Sequence, residues 1–268
     1  MSSLQPHIRC SREDAAPYAI LPGDPARVDR IGEFLEDARE IAFNREHKSI
    51  AGAYKGVKVM AVSTGMGGAS TGIAVEELHN IGVKSMIRIG SCGALQENIR
   101  MGDLLLIHGA VRDDGASKAY VESIYPAVPD TELLMAMIQA AKEMKLRYHI
   151  GKCRSHDSFY TDREDEIDNY WHGKGILGAD METSALFTIG ALRGVRTGSI
   201  LNTVSLFGGD LEKEINGYVE GGDAAARGEK MEILLALETI VCMEEADKAA
   251  RADKADQADQ AAWAGKGI

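Results

Sequence analysis

Ser85-Met-Ile-Arg-Ile-Gly-Ser-Cys-Gly-Ala94 is the stretch of sequence that decides the fold. The apolar run at its start predicts a buried strand, and the Gly-Ser-Cys-Gly segment after it predicts a turn. Arg88 lies at the end of that strand, where a buried positive charge is costly unless an anion meets it. The backbone amides freed by the two glycines and the hydroxyl of Ser91 are suitable partners for such an anion. We therefore expect an anion site at this turn.

A second turn, Leu21-Pro-Gly-Asp-Pro-Ala-Arg27, follows the first apolar run of the chain and has the same ingredients. Two glycine turns that each carry an arginine at the end of a predicted strand indicate one site of the size of a phosphate ion. Either turn alone is equally compatible with an ordinary strand-to-helix turn that carries a surface arginine. The two turns together favour the anion site.

Short β-type runs alternate with helical patterns from residue 17 to about residue 243. Such alternation predicts the α/β class, with a largely parallel or mixed sheet that is covered by helices on both faces. Because no linker-like composition interrupts the pattern, we expect residues 1–243 to form a single domain. The predicted strands are residues 18–22, 57–63, 85–89, 103–108, 148–153 and 197–203. The predicted helices are, approximately, residues 25–36, 69–82, 131–146, 181–193 and 225–245.

The C-terminal stretch, residues 244–268, has a different composition. It is rich in alanine, aspartate and lysine, and it has almost no large apolar residue before Trp263. Alanine favours a helix, but this stretch offers no apolar face that a core can bury. We expect a frayed, solvated helix or a disordered tail, and we assign no chemistry to it.

Composition argues against several classes of protein. The formal net charge of −11 at pH 7 disfavours general nucleic-acid binding, which needs a basic surface. Four scattered cysteines without a CxxC pair indicate a reducing cytoplasm and no structural zinc site. Neither a long apolar span nor a signal-peptide pattern is present in the sequence, so we expect a cytoplasmic enzyme that does not enter a membrane.

Three further segments carry polar groups beside predicted strands or helices: Asn44-Arg-Glu-His47, Ser63-Thr-Gly-Met-Gly-Gly-Ala-Ser70 and Gly178-Ala-Asp-Met-Glu-Thr-Ser184. The second is similar to a dinucleotide-binding fingerprint, but Ser70 stands where the fingerprint needs Gly or Ala, and the later acidic residue is missing. A Rossmann-type dehydrogenase is therefore disfavoured. The third segment, taken alone, predicts carboxylates that stabilise the positive end of a helix dipole.

Taken together and in order, these segments resemble the nucleoside phosphorylase family, which includes hexameric bacterial purine nucleoside phosphorylases and uridine phosphorylases. The matching motifs are LPGDPARV, NREH, STGMGG, RIGSCGA, DSFY and ADMETSALF, and they span residues 7 to about 243. The resemblance implies a single α/β domain with a mixed, barrel-like central sheet flanked by helices. It also implies a homo-oligomer, either a hexamer built as a trimer of dimers or a dimer, whose active sites are shared across subunits.

The resemblance implies roles for individual residues as well. The residues implied to bind phosphate are Gly23, Arg27, Arg88 and Ser91, with Arg45 from the neighbouring subunit. Those implied to bind ribose are Met181 and Glu182, with His7 from the neighbouring subunit, and those implied to bind the base are Cys92, Gly93, Phe159 and Asp180. Arg88 and Glu182 are implied to be catalytic. Without the resemblance, His7 is better interpreted as a mobile terminal histidine, and Phe159 as a core residue.

The implied reaction is phosphorolysis, with inorganic phosphate as the co-substrate and with no cofactor. Positive charge develops on the ribose and negative charge on the departing base. Bound phosphate stabilises the cationic sugar and attacks its anomeric carbon, which gives ribose 1-phosphate and the free base. Three guanidinium groups suit this task, because each forms bidentate, charge-assisted hydrogen bonds with phosphate.

The positions that set base specificity depart from both branches of the family. Leu206 stands where purine-specific members carry a proton-donating aspartate, and Arg163 and Asp165 stand where uridine-specific members carry Gln and Arg. Asp162 and Asp210 are candidates to replace the missing proton donor. We expect a slight preference for purine nucleosides, because RIGSCGA and GILGADMETSALF look more like that branch. Uridine phosphorylase is the alternative, because STGMGGASTGIAVEEL and GASKAY look more like the other.

Two smaller features complete the sequence-based expectations. Residues 208–222 are rich in glycine and acidic residues, which predicts either a mobile lid over the base pocket or a plain surface loop. Glu46 and Ser70 match the positions that hold a monovalent cation, K⁺, between subunits in some uridine-type members, although we favour a site without an ion.

Two other functions stay open at this point. A phosphate-independent nucleosidase attacks with water and has no use for Arg27, Arg45 and Arg88, so the three arginines argue against it. A catalytically silent nucleoside-binding protein is compatible with Leu206, but such a protein has no need to keep Glu182 and the arginines.

Overall fold

Nine strands form one mixed sheet in the computed structural model, which describes residues 4–219 and 223–264. The strands are β1 (Tyr18–Pro22), β2 (Glu36–Asn44), β3 (His47–Tyr54), β4 (Val57–Val62), β5 (Ser85–Ala94), β6 (Leu104–Asp113), β7 (Tyr148–His156), β8 (Gly178–Asp180) and β9 (Arg196–Ser205). Their order in the sheet is β2-β3-β4-β1-β5-β8-β7-β6-β9. Because β9 also pairs with β5, five strands close into a barrel, and the other four extend the sheet from β5.

The sheet mixes parallel and antiparallel pairs. β5 runs parallel to β1 and β9 and antiparallel to β8, while β6 runs parallel to β7 and antiparallel to β9. This closed, mixed sheet confirms the predicted α/β class with a barrel-like centre. In the parallel pair β1–β5, Leu21 lies opposite Arg88, so the two predicted turns extend from neighbouring strand ends.

Helices cover both faces of the sheet, as the alternating sequence pattern predicts. They are α1 (Pro25–Gly32), α2 (Gly68–Ile81), α3 (Gly115–Lys118), α4 (Thr131–Glu143), α5 (Glu164–His172), α6 (Thr183–Leu192), α7 (Leu211–Val219) and α8 (Asp223–Ala264). Side chains on the two faces of β5 enter different cores: Met86 belongs to the same buried cluster as Leu186 of α6, whereas Ile89 belongs to the cluster that contains Leu237 of α8. Each fully buried aliphatic side chain of this kind contributes roughly 1.5–3 kcal/mol to the stability of the fold.

The structure differs from the sequence-based elements in several places, and it contains α3, α5 and β8, which were not predicted. β5 continues through Ala94, so the predicted Gly-Ser-Cys-Gly turn is extended strand that pairs with β9. The β2–β3 hairpin was not predicted, and α1 ends at Gly32, before the predicted helix end near residue 36, where β2 begins. Residues 211–219, part of the predicted lid or loop, form α7, while residues 220–222 lie outside the described residues.

The C-terminal helix α8 crosses residue 243 without a break. Just beyond that position, the Tyr18 hydroxyl donates hydrogen bonds to Glu244 and Asp247, and Arg196 forms an ion pair with Asp247 at 2.7 Å. The first turns after residue 243 thus contact the domain. The division into a domain and a tail at this residue stays a prediction. No helix among the described residues is long and apolar enough to cross a membrane.

Candidate active site

Arg88 is the most constrained arginine of the site. It lies on β5 and is almost fully buried, with its Nε 3.0 Å from Asp180 Oδ2 and its Nη2 2.6 Å from Glu182 Oε2. These carboxylates hold its pKa above the usual value in spite of burial. Its Nη1 is buried and has no hydrogen-bond partner among residues 4–219 and 223–264. One edge of a fixed, permanently charged guanidinium is therefore left for an anion.

Gly90 is needed because the Arg88 side chain folds back across it. The two residues lie on the same face of β5, and a Cβ at Gly90 would collide with the Arg88 guanidinium. The glycine therefore serves a close side-chain approach, not the turn that the sequence predicted. This is the physical reason for the Arg-Ile-Gly spacing.

Arg27 reaches the same site from the beginning of α1, where the Asp24 side chain accepts a hydrogen bond from the Ala26 amide. Its Nη2 lies 3.3 Å from Ser91 Oγ, and its Nε lies 3.1 Å from Glu229 Oε2. The two motifs that carried the anion hypothesis are thus in direct contact through Arg27 and Ser91. Gly23 lies just before α1, with its carbonyl accepting a hydrogen bond from the Gly65 amide.

Glu182 lies at the N-terminal end of α6 beside Arg88. Its Oε1 accepts a hydrogen bond of 2.6 Å from the Gly67 amide, in the loop that precedes α2. Burial raises the pKa of this carboxyl, and the nearby Arg88 charge opposes the rise. Met181 is half-buried next to it. The structure thereby brings the predicted ribose-binding glutamate to the predicted phosphate-binding arginine.

Both carboxylate oxygens of Asp180 accept hydrogen bonds from neighbouring protein groups. Its Oδ2 accepts hydrogen bonds from Arg88 Nε and from the amide and hydroxyl of Thr183, and its Oδ1 accepts one from the Ser155 hydroxyl. Its side chain has no exposed surface. This placement favours a role in holding Arg88 over the base contact that the resemblance implied.

Cys92 and Gly93 complete β5 beside this group. Cys92 is buried, and burial raises the pKa of its thiol well above the usual value. Gly93 pairs with Ala179 of β8, and a Cβ at this position would lie 3.0 Å from Ser205 Oγ. Contact of either residue with a base stays a prediction.

His7 is fixed near the N-terminal end of the described chain rather than mobile. Its Nδ1 lies 2.6 Å from Glu77 Oε1 of α2, its amide donates to the same carboxylate, and its carbonyl accepts from Asn44. The ring keeps 38% of its side-chain surface exposed. It is therefore positioned for a ligand or for a neighbouring subunit.

Arg45 lies in the exposed turn between β2 and β3, with φ at +55°. Among the residues that the structure describes, it makes no hydrogen bond or ion pair with the groups around Arg27 and Arg88. Within the described residues of one chain, Arg45 thus makes no such contact with the site of Arg27 and Arg88. The contribution of Arg45 across a subunit interface stays a prediction.

Glu46 and Ser70, the predicted cation ligands, contact one another. Ser70 Oγ donates a hydrogen bond of 2.7 Å to Glu46 Oε1, and this bond lowers the pKa of the carboxyl. Two oxygen atoms are fewer than a hard cation takes, so this pair alone does not form a site for one. No cluster of three or more His, Cys, Asp or Glu side chains suited to a metal occurs in the described part of the chain.

The predicted base end of the site is more open. Phe159 is 38% exposed and packs edge-on against Tyr160, with ring centroids 5.0 Å apart. Arg163 forms an exposed ion pair with Glu166 and is thus engaged away from the buried arginines. Leu206 is 36% exposed just after β9.

The two candidates for a replacement proton donor lie in exposed segments. Asp210 caps the start of α7 by accepting a hydrogen bond from the Lys213 amide, and Asp162 lies in the exposed segment before α5. These placements give neither carboxyl group a contact that would direct it at a base. Their proposed substitution for the missing aspartate stays a prediction.

Two acidic residues of α8 belong to this site and were missed by sequence reasoning. Glu229 forms an ion pair with Arg27 Nε at 3.1 Å, and Glu232 lies 3.2 Å from Arg27 Nη1 with its side chain fully buried. Burial raises the pKa of Glu232 to about 8. The sequence signal for Glu229 and Glu232 is an acidic residue within a largely apolar helix. Such a residue needs a cationic or hydrogen-bonding partner if the helix buries it.

Comparison with known proteins agrees with this architecture. The family model of the Phosphorylase superfamily matches residues 17–235. A uridine phosphorylase from Thermococcus kodakarensis is 39% identical over 258 residues, which cover 91% of this chain and 88% of that protein. A guanosine phosphorylase from Halorubrum lacusprofundi is 39% identical over 196 residues, covering 73% of this chain and 81% of that protein.

A crystal structure of uridine phosphorylase from Vibrio fischeri superposes with a TM-score of 0.84 at 46% identity, covering 89% of this chain and 98% of that one. Because the family match extends from the first strand into α8, this chain belongs to the phosphorylase superfamily.

Proposed function

We propose that this chain is a nucleoside phosphorylase, a pentosyltransferase that uses inorganic phosphate to cleave the N-glycosidic bond of a nucleoside. The products are the free base and ribose or deoxyribose 1-phosphate. One observation carries the proposal: two buried arginines, Arg27 and Arg88, lie near enough for their charges to act on one another, and Arg88 Nη1 has no hydrogen-bond partner among the described residues. A phosphate ion supplies the acceptors that such a group needs.

The geometry supports a division of labour between the two catalytic candidates. Arg88 holds the phosphate dianion, so that one phosphate oxygen attacks the anomeric carbon while the bond to the base breaks. Glu182 accepts hydrogen bonds from the ribose hydroxyls and places its negative charge near the cationic sugar. The electron pair of the broken bond leaves with the base. Such aimed electrostatic contacts are usually the largest single contribution to a rate enhancement.

We propose uridine as the first substrate to test and guanosine as the second. Two of the similar proteins are named uridine phosphorylase, and one is named guanosine phosphorylase. Guanosine is a purine nucleoside, but because two of these three names refer to uridine, they do not support the slight preference for purine nucleosides that the motifs suggested. Leu206 is compatible with uridine, because it cannot donate the proton that purine-specific relatives are expected to supply.

The buried arginines also separate this proposal from the two other functions. A nucleosidase that attacks with water gains nothing from the costly burial of Arg27 and Arg88. A silent binding protein needs neither the fixed Arg88 edge nor Glu182 beside it. Both alternatives are outcomes of the assay that tests the proposal.

The test is an assay of base and sugar-phosphate release from uridine, thymidine, guanosine, inosine and adenosine, each with and without phosphate. We expect cleavage only with phosphate, with uridine or guanosine turned over fastest. Cleavage at equal rates without phosphate would make the chain a nucleosidase. Retained nucleoside binding without any cleavage would make it a binding protein.

We further propose that the chain works as a homo-oligomer in which Arg45 and His7 complete the site of a neighbouring subunit. Arg45 is exposed at a hairpin tip, and His7 presents part of its ring while Glu77 holds it. Both placements are suited to contacts with a second copy. A hexamer, a K⁺ ion at Glu46 and Ser70, and a cytoplasmic location stay expectations from the sequence.

Mixed assemblies test the shared site. When Arg45→Ala and Arg88→Ala subunits carry different tags and are co-purified, half of the sites in a mixed dimer regain both arginines. We expect phosphate-dependent activity well above that of either parent variant. If the mixed assembly is no more active than the mean of its parents, Arg45 acts within its own subunit or not at all.

A further inference from the structure

Two glutamates of α8 lie directly behind the phosphate-binding arginine of α1. Glu229 and Glu232 are three residues apart, so they lie on one face of the helix. Glu229 is 7% exposed, and Glu232 has no exposed surface. Both contact Arg27 and neither is among the residues that the family motifs highlight. Two buried carboxyl groups in contact with Arg27 affect the charge that this arginine presents to an anion.

Glu232 joins the two elements that carry the arginines. Its Oε1 lies 3.2 Å from Arg27 Nη1, and its Oε2 accepts a hydrogen bond of 3.1 Å from the Gly90 amide of β5. Gly90 is the residue across which Arg88 folds. A single carboxyl group thus contacts the guanidinium of one arginine and the backbone beneath the other.

The charges around this group do not balance. Two buried arginines, Arg27 and Arg88, face four buried carboxyl groups, which are Asp180, Glu182, Glu229 and Glu232. Arg30, which is partly exposed, adds one more positive charge against Glu229. The charged and titratable groups that act on Glu232 are Arg27 of α1, Arg88 and Cys92 of β5, and Glu229 of α8.

A phosphate dianion adds further negative charge to this excess. Burial, against the opposing charge of Arg27 and with the negative charge of Glu229, raises the pKa of Glu232 to about 8. An anion bound to the arginines raises the pKa further, because it repels the ionised form. Proton uptake by Glu232 is then the least costly way to restore the balance.

On the assumption that the proposed phosphate site is correct, we propose that Glu232 is a positioning residue that acts through Arg27. It contacts the guanidinium before phosphate arrives, and where it is ionised it takes up a proton from solvent when phosphate binds. Arg27 then directs its charge to the phosphate instead of sharing it with an ionised carboxylate. Binding of phosphate and binding of a proton at Glu232 therefore favour one another.

Calorimetry of the complete protein tests the proton uptake directly. Titrations with sulfate and with phosphate at pH 8, in two buffers of different ionisation enthalpy, give the number of protons bound with each anion. Sulfate is a phosphate mimic that does not itself titrate in this range. We expect an uptake of about half a proton per sulfate, because a group with a pKa near 8 is about half ionised at that pH.

Matched variants identify the group that takes up the proton. Glu232→Gln keeps the size of the side chain and removes its titration, so the uptake with sulfate should vanish. Glu238→Gln is the control, because Glu238 lies on the same helix but pairs with Lys55 at the surface. A kinetic measurement gives a second readout. The ratio of the wild-type KM for phosphate to the KM of Glu232→Gln should rise by about tenfold between pH 7 and pH 9.

The outcomes separate this inference from the proposed function. Anion binding by the wild type without proton uptake would overturn the inference whether or not the variant folds. Unchanged uptake in Glu232→Gln would overturn it as well, with phosphorolysis left intact. An absence of phosphate-dependent cleavage in the wild type would instead overturn the proposed function.

Discussion

Arg88→Ala is expected to lower phosphate-dependent turnover by about 10²–10³-fold or more, which makes it one of the two most damaging changes in this chain. The substitution removes Nη1, the buried nitrogen without a hydrogen-bond partner among the described residues that we assign to phosphate. It also leaves Asp180 and Glu182 without their shared cation. The measurement is kcat and KM for phosphate at saturating nucleoside, with melting of the variant recorded in parallel.

The structural cost of this change needs its own control. Removing one partner from a buried ion pair destabilises a protein by about 3–5 kcal/mol, so a lower melting temperature is expected for Arg88→Ala. Arg88→Lys keeps the charge but loses the planar fork, and it should fold better while remaining strongly impaired. Arg251→Ala, at the ion pair of the exposed Arg251 side chain with Glu244 on α8, should leave activity and melting nearly unchanged.

A well-folded Arg88→Lys or Arg88→Ala variant with near-normal turnover would contradict the phosphate assignment. Loss of phosphate-dependent activity alone would not distinguish binding from chemistry. Raised KM for phosphate with unchanged kcat would indicate that Arg88 only binds the anion. A fall in kcat at saturating phosphate is the result that we expect, because the same contact stabilises the transition state.

The meeting of the two glycine-containing motifs could be predicted from the sequence. Both follow short apolar runs, and neighbouring parallel strands present their carboxyl ends at the same edge of a sheet. β1 and β5 do pair in this way, with Leu21 opposite Arg88, and Arg27 consequently reaches Ser91. The strand conformation of the Gly-Ser-Cys-Gly segment that follows Arg88 could not be predicted, because a glycine that accommodates a side chain looks the same in sequence as a glycine in a turn.

The carboxyl groups around the arginines were only partly accessible to sequence reasoning. Asp180 and Glu182 lie in a recognisable motif, whereas Glu229 lies 202 residues from its partner Arg27 in the chain. Apolar periodicity predicts that α8 is a helix, but the docking of that helix decides which of its glutamates are buried. The β2–β3 hairpin was missed for a related reason: β2 is largely exposed, so its pattern of burial is weak.

Glu182→Gln is expected to lower kcat/KM for the nucleoside by about 10²–10³-fold. The amide keeps the shape of the side chain and a hydrogen bond from Gly67, but it loses the charge that stabilises the cationic sugar. Since the remaining partners of Arg88 stay in place, KM for phosphate should change much less than the rate. A large change in phosphate KM with an unchanged nucleoside kcat/KM would assign Glu182 to the phosphate side instead.

The pH dependence provides a second signature of Glu182. Burial raises the pKa of this carboxyl, so its ionised form, the one that we propose is active, is lost as the pH falls through that raised value. The wild-type rate should therefore decline on the acidic side of its profile, and Glu182→Gln should lack this limb. Arg88 favours the ionised form of Glu182. If the lysine of Arg88→Lys lies farther from Glu182 than the guanidinium does, the acidic decline of the pH–rate profile should move to higher pH. A shift of this kind would show that the arginine prepares the glutamate for the sugar as well as holding the phosphate.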